Sequence, residues 1–366
     1  MKVNLFHTKV DNTKDLNSLK KSFEALLESG QFVLGNNVKV FESNLSKYLK
    51  AKYAVGVNSG TDALTLSLVA MGIKPGDFVI TSSFTYFATI EAIHNIGAKP
   101  FLVDICEDTL QINLENIKPE ILKKAKAIIP VHLFGGHVDI EKLLKIKKLY
   151  NLKIVEDVAQ AFGTKVNNSY AGTFGDCGAF SFYPTKTLGS IGDAGAVVTD
   201  SKHIFENLMK LRNHGHIDRD NFKFSGYNSR LDEIQAIFLN KKLENIDIEI
   251  AKRQTIAGKY QKNLSDIKNI SFFNHNNKTF NYFPILCKNK KERKDLINFL
   301  NSKNIQTAIY YKKALSDLSF DWIYRDSDLH HVNNIKNRIL CLPIYPELNR
   351  SKLDYVISNI RNFYES

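Results

Sequence analysis

The chain has 366 residues, 43% of them hydrophobic, which is enough to bury a full core and points to two domains. No apolar run approaches the roughly 20 residues that a membrane span needs, the start lacks the apolar stretch of a secretory signal, and four scattered cysteines (106, 177, 287 and 341) read as reduced thiols of a cytoplasmic protein without a cysteine zinc site. The net charge of +12 comes from lysines dispersed among asparagines with no basic block, which argues against nucleic acid and suits anionic small molecules.

In chain order, Leu16, Leu19, Phe23 and Leu26 recur at helical spacing and predict an amphipathic N-terminal helix, after which Gly30 and Gly35 break the chain. Between Tyr53 and Thr199 short β-rich runs alternate with helical segments. Strands are expected at 54–57, 78–81, 99–103, 127–131, 153–155, 178–182 and 196–199. Their near-continuous Val, Ile and Phe content, without alternation, predicts strands buried on both faces, hence an α/β fold with a mainly parallel sheet between helices. One long helical stripe follows, carrying Leu243, Ile246, Ile250, Ala257, Tyr260 and Leu264. The remainder mixes a strand at 280–286 with helices at 291–301 and 352–363. This organisation predicts a large domain over 1–245 and a smaller α+β domain over 246–366.

Several residues in this frame carry chemistry. Residues 55–64, Val-Gly-Val-Asn-Ser-Gly-Thr-Asp-Ala-Leu, read as strand, small-residue turn and helix start. The free N–H groups there and the Thr61 hydroxyl can cradle a phosphate, or the turn can be an ordinary N-cap. Asp157 ends a strand at the carboxyl edge of the expected sheet, where open α/β folds bind ligands, although a helix N-cap is an equal reading. Gln160 can cap or touch a ligand hydroxyl, and Tyr86 can be core or stack on a flat ring. Lys186 lies between two apolar runs in Ser181-Phe-Tyr-Pro-Thr-Lys186. A lysine there can bind an aldehyde cofactor as a Schiff base, while a strand-end aspartate keeps a pyridine nitrogen protonated. Together they form the protein's half of pyridoxal phosphate (PLP) chemistry.

The motifs Asn58-Ser-Gly-Thr-Asp-Ala63, Pro130-Val-His-Leu-Phe-Gly135, Glu156-Asp-Val-Ala-Gln160, Ser181-Phe-Tyr-Pro-Thr-Lys186 and Gly192-Asp-Ala-Gly195 occur in that order. In this the chain resembles the DegT/DnrJ/EryC1/StrS family of fold-type I, PLP-dependent sugar aminotransferases. The resemblance implies that Lys186 binds the cofactor covalently and moves the proton, and that Asp157 pairs with the pyridine nitrogen. It implies further that Tyr86 stacks on the ring, that Gln160 lies near the ring hydroxyl, and that Gly60, Thr61 and Ser181 hold the phosphate. Asn228 is implied to reach the phosphate of a partner subunit, giving a homodimer with shared active sites.

By the same resemblance L-glutamate is the amino donor and a nucleotide-linked keto-sugar the acceptor. Asn228-Ser-Arg-Leu-Asp232 is similar to the branch that aminates C3, and a dTDP-3-keto-6-deoxyhexose, a precursor for surface glycans such as lipopolysaccharide, is the expected acceptor. A UDP-linked 3-keto sugar and a C4 ketone are the alternatives. Arg230, Tyr183, His214 and Tyr310 are the candidate substrate contacts, with a structural pairing of Arg230 to Asp232 or Glu233 equally open. Many relatives carry Tyr-Pro and then Leu-His near residues 310–316, where this chain has Lys312 and Ser316. The pairs His214/His216 and His330/His331 lack the carboxylate spacing of a metal site, so no metal is expected. Related dehydratases have histidine in place of Lys186, and a non-catalytic PLP-binding regulator would not need both Lys186 and Asp157.

Overall fold

The computed structural model describes residues 1–274 and 278–365. Strands β1 (Tyr53–Val57), β2 (Phe78–Ser82), β3 (Lys99–Val103), β4 (Ala125–Ile129) and β5 (Lys153–Asp157) lead into a short hairpin, β6 (Lys165–Val166) and β7 (Ser169–Tyr170). Then come β8 (Cys177–Ser181), β9 (Gly195–Thr199), β10 (Ile270–Phe272), β11 (Phe283–Cys287), β12 (Tyr324–Arg325) and β13 (Ile339–Leu342). The large sheet has the order β1-β9-β8-β5-β4-β2-β3-β12. Its pairs from β8 through β12 are all parallel, whereas β9 lies antiparallel to both β8 and β1. The mainly parallel α/β sheet expected from the sequence is the one observed, and its strands lie within two residues of their expected ends.

Three early helices, α1 (Thr13–Ser29), α2 (Asn36–Leu49) and α3 (Gly60–Ala70), set the layers. Successive strand residues point to opposite faces. Val197 therefore packs with Leu64, Leu66 and Leu68 of α3 on one side. Ala196 and Val198 pack with Phe41 and Leu45 of α2 on the other. Helix α3 is apolar around its whole circumference and almost wholly buried, as a helix enclosed by sheet and neighbouring helices must be. Its N-terminus is thereby fixed at the carboxyl edge of β5 and β8.

Two expectations need correction. The single stripe from Leu243 to Leu264 is two helices, Glu233–Leu243 and Ile246–Leu264, broken at Glu244-Asn245. The second helix starts afresh because Asn245 accepts from Ile248 N and Glu249 N, with Asp247 and Glu249 favouring the positive end of its dipole. Its two halves also serve different cores. Ile246 and Ile250 pack with the large sheet, while Ile256, Ala257, Tyr260 and Leu264 pack with the antiparallel sheet β10-β11-β13. The strand expected from residue 280 begins at Phe283, because Phe280 adopts φ 52°, which ends extended structure. The N-terminal helix forms, but Leu26 alone of its stripe is buried, and Leu16 and Phe23 remain 38% and 41% exposed.

The chain also crosses between its two larger sheets. Val3 pairs with Ile305 and sits fully buried in the core of the smaller sheet. β12 adds to the edge of the large sheet beside β3.

Candidate active site

The ladder between β5 and β8 aligns Asp157 with Ala179, so Ser181 lies at the same edge two residues further on. The chain then turns tightly. Lys186 N donates to Tyr183 O at 2.8 Å, and Ser190 closes back on Phe182 O through its N–H at 2.7 Å and its hydroxyl at 2.6 Å. Gly189 is required there, since a Cβ would lie 2.5 Å from Pro184 O. The turn directs Lys186 into a cavity of about 550 Å³ that it shares with Asp157, Gly60, Thr61, Tyr86, Gln160, Ser181, Tyr183 and Tyr310. That volume is within the roughly 300–1,000 Å³ of small-molecule sites.

Asp157 is 5% exposed. Its Oδ2 accepts from Thr89 Oγ1 at 3.0 Å and its Oδ1 from Ala159 N at 3.1 Å. The Ala159 bond closes a turn, so the helix N-cap reading falls. Burial pushes the carboxyl pKa up, opposed by these two donors and by the charge of Lys186. Burial also lowers the Lys186 ammonium to about 8, against the pull of Asp157. Among the described residues no cation forms an ion pair with Asp157, so a cationic ring nitrogen bound in this cavity would meet a carboxylate with no counter-charge of its own.

At the start of α3, Ser59 Oγ accepts from Asp62 N at 3.0 Å, which is the N-cap expected of that turn. The cap does not exclude a ligand, because the Gly60 and Thr61 ends face the cavity. A Cβ on Gly60 would lie 2.6 Å from Ser181 Cβ, so the missing side chain lets the serine close against the first turn. The result is a cradle of amides and hydroxyls at a helix N-terminus, suited to a phosphate. Amine, carboxylate and cradle within one cavity fit PLP.

Tyr86 is 64% exposed at the cavity mouth, so the core reading falls, and Tyr183 is 51% exposed beside it. Gln160 caps no helix. Its Oε1 accepts from Phe134 N at 3.0 Å, and its Nε2 donates to the Tyr311 hydroxyl at 2.8 Å.

Asn228, Arg230 and His214 do not line this cavity. They lie on the segment after helix Lys202–Leu211, where Asn213 pairs with Asn228 and His214 N donates to Tyr227 O at 2.8 Å. Arg230 Nη1 donates to Asn213 Oδ1 at 3.1 Å. Asp232 and Glu233 are not its partners; Glu233 instead accepts from Asn37 N and Val38 N, both at 2.9 Å.

Sequence reasoning missed Thr89, Phe6, Tyr282 and Tyr311, which also line the cavity. Thr89 stood three residues beyond Tyr86 and was recoverable from that spacing. Tyr311 adjoins the candidate Tyr310 and was recoverable from it, whereas Phe6 and Tyr282 come from segments far away in sequence with no local signal.

Comparison with known proteins agrees with this geometry. The sequence model of the DegT/DnrJ/EryC1/StrS aminotransferase family matches residues 14–361. The dTDP-3-amino-3,6-dideoxy-alpha-D-galactopyranose transaminase of Aneurinibacillus thermoaerophilus is 36% identical over 369 residues, covering 96% of this chain and 97% of that protein. The UDP-N-acetyl-3-dehydro-alpha-D-glucosamine 3-aminotransferase of Acidithiobacillus ferrooxidans is 34% identical over 341 residues, covering 92% and 91%. A crystal structure of a DegT/DnrJ/EryC1/StrS aminotransferase from Brucella abortus superposes with a TM-score of 0.95 at 31% identity, covering 100% of both chains. With fold, site and full-length similarity in agreement, the chain belongs to the DegT/DnrJ/EryC1/StrS family of PLP-dependent sugar aminotransferases.

Proposed function

We propose that this enzyme transfers the amino group of L-glutamate to the C3 ketone of a nucleotide-linked sugar, with dTDP-3-keto-6-deoxyhexose as acceptor and a dTDP-3-amino-3,6-dideoxyhexose as product for surface-glycan synthesis. The observation that carries the chemistry is the presence of the Lys186 amine and the Asp157 carboxylate in one cavity with the α3 cradle. The choice of C3 is supported by two relatives that are named as a 3-amino transaminase and a 3-aminotransferase. The second of them is named for a UDP sugar, which keeps a UDP-linked 3-keto acceptor as the second reading.

PLP, when bound, supplies the aldehyde that takes up the amino group and a ring that withdraws electrons from the reacting carbon. Lys186 Nζ removes the proton from the α-carbon of glutamate and, in the second half of the cycle, delivers a proton to C3 of the sugar. An amine lowered to about 8 can move a proton in either direction near neutral pH. Asp157, fixed by Thr89 and Ala159 N, holds positive charge at the pyridine nitrogen. Ser181 and the first turn of α3 hold the phosphate, and Tyr86 covers the ring at the mouth.

The functional unit in this reading is a homodimer with shared sites. Asn228, Arg230 and His214 lie outside the cavity of their own chain, where a partner's cavity can receive them. Phe23 and Leu27 of α1 and the following Phe32 and Val33 are exposed, leaving apolar surface for a second subunit to cover.

The test is a panel of dTDP- and UDP-linked 3-keto and 4-keto sugars with L-glutamate, read by 2-oxoglutarate release and the mass of the aminated sugar. Amination of 4-keto sugars alone overturns the C3 assignment. If no amino acid discharges the bound cofactor's absorbance, the transamination reading fails. A single-subunit mass in solution removes the shared site.

A further inference from the structure

Tyr311 brings a phenol into the cavity beside Asp157, Gln160 and Lys186. Its hydroxyl accepts from Gln160 Nε2 at 2.8 Å. The direction of that bond is fixed, because Gln160 Oε1 already accepts from Phe134 N at 3.0 Å, leaving only the amide NH₂ at the other end. A phenol that accepts here keeps its own hydrogen to donate, and no acceptor among the described residues takes it. The ring is held edge-on by Phe84, at 5.8 Å and 78°, and by Tyr310, at 5.8 Å and 70°. Burial and the neighbouring Tyr282 raise the phenol pKa well above its ordinary value, so the hydroxyl stays protonated at neutral pH.

The chemistry of the cofactor leaves one acceptor for this donor. Besides the aldehyde that Lys186 takes up, PLP carries a phosphate, a pyridine nitrogen and a ring hydroxyl oxygen. The phosphate belongs to the α3 cradle and the nitrogen to the buried carboxylate of Asp157. The ring oxygen then falls to the donors adjoining Asp157, which are Gln160 Nε2 and the Tyr311 hydroxyl.

We propose that Tyr311 is a further cofactor-binding residue, donating its phenol hydrogen to the ring oxygen of bound PLP while Gln160 fixes the direction of that hydroxyl. The proposal rests on the PLP site assigned to Lys186 and Asp157. A donor at the ring oxygen stabilises its anion, most of all when the adjacent Schiff-base nitrogen has lost its proton. Tyr311 therefore lowers the pH at which the cofactor's visible absorbance changes.

The experiment uses full-length protein loaded with PLP or with 3-deoxypyridoxal 5'-phosphate, which lacks the ring oxygen. Tyr311→Phe keeps the ring and its packing. It should raise the pH midpoint of the absorbance change by about one unit and weaken PLP binding about tenfold. Binding of the deoxy analogue should be equal in wild type and variant. Replacing Tyr311 with 3-fluorotyrosine, whose hydroxyl is a stronger donor, should move the midpoint downward and keeps the test open if the Phe variant folds poorly. An unchanged midpoint, or equal loss of affinity for PLP and the analogue, overturns the proposal while leaving the PLP site intact. A wild-type protein that takes up no PLP brings down the site assignment, and this proposal with it.

Discussion

The imidazole Nε2 of His132 lies 2.8 Å from Glu156 Oε2, and neither side chain has any exposure. Val138 N donates to His132 Nδ1 at 3.3 Å, so Nε2 carries the hydrogen and donates to the carboxylate. Glu156 also accepts from Gly172 N at 2.8 Å and from Phe174 N and Gly175 N at 2.7 Å. One buried carboxylate thus ties the end of β5, where Asp157 follows, to the turn that leads into β8.

Glu156→Gln is isosteric yet cannot satisfy this environment. Each carboxylate oxygen receives two bonds, so whichever way the amide is turned, its NH₂ faces donors. Leaving such buried groups unpaired costs about 2–4 kcal/mol. Urea unfolding should show that loss as a lower midpoint with an unchanged slope. A variant within 0.5 kcal/mol or so of wild type would remove this carboxylate from the structural account.

What the sequence revealed follows the range of each interaction. Asp157, Lys186 and the Gly60-Thr61 turn were readable because each is set by a strand end or tight turn within a few residues of itself. Phe6 and Tyr282 were not, because loop closure over much of the chain brings them to the cavity. The break at Asn245 was hidden for a different reason. Leu243 and Ile246 keep helical spacing across it, so periodicity reports which residues are buried and passes over an interruption in the backbone. The exposed stripe of α1 marks the reverse case, where an apolar pattern is right about the helix and silent about what covers it.

The Lys186 amine should titrate near 8 in cofactor-free protein. At pH 8 about half of it is then neutral, against less than about 1% of an ordinary lysine near 10.4. The neutral fraction grows as pH rises through 8 because the ammonium loses its proton there, and burial, which disfavours the charged form, sets that midpoint below an ordinary lysine's. Acylation by a lysine reagent, read by the mass of the peptide bearing Lys186, should rise with that midpoint. Lys186→Ala should leave a folded protein and cut turnover by at least about 1,000-fold, and borohydride should then fix no cofactor to that peptide. Appreciable transamination by the variant would reassign the proton transfer to another group.

Thr89 Oγ1 donates to Asp157, so in the proposed mechanism it would act on the cofactor through that carboxylate. Removing its hydroxyl takes away one of the donors that hold the carboxylate anionic, so the Asp157 pKa should climb further. Thr89→Val keeps the shape and should slow turnover about 3- to 10-fold, with the larger loss at the acid end of the pH profile. Asp157→Ala removes the counter-charge altogether and should cost about a thousandfold or more. A Thr89→Val profile parallel to wild type at every pH would mean that the hydroxyl only fills space.

Gly60→Ala tests the phosphate cradle by sterics alone. The new methyl would lie 2.6 Å from Ser181 Cβ and 3.1 Å from Ser181 Oγ, so either the first turn of α3 or the end of β8 must move. Both hold the cradle, and the variant should lose stability and bind PLP about tenfold more weakly. The double variant Gly60→Ala/Ser181→Gly separates these two effects. Deleting the serine side chain removes the nearest colliding atoms and leaves the Ser181 Cα at 3.2 Å, so the melting temperature should recover. PLP affinity should stay low, because the same deletion takes away the hydroxyl proposed to bind the phosphate. Affinity restored together with stability would show that Ser181 contributes only volume and that the amides of α3 hold the anion unaided.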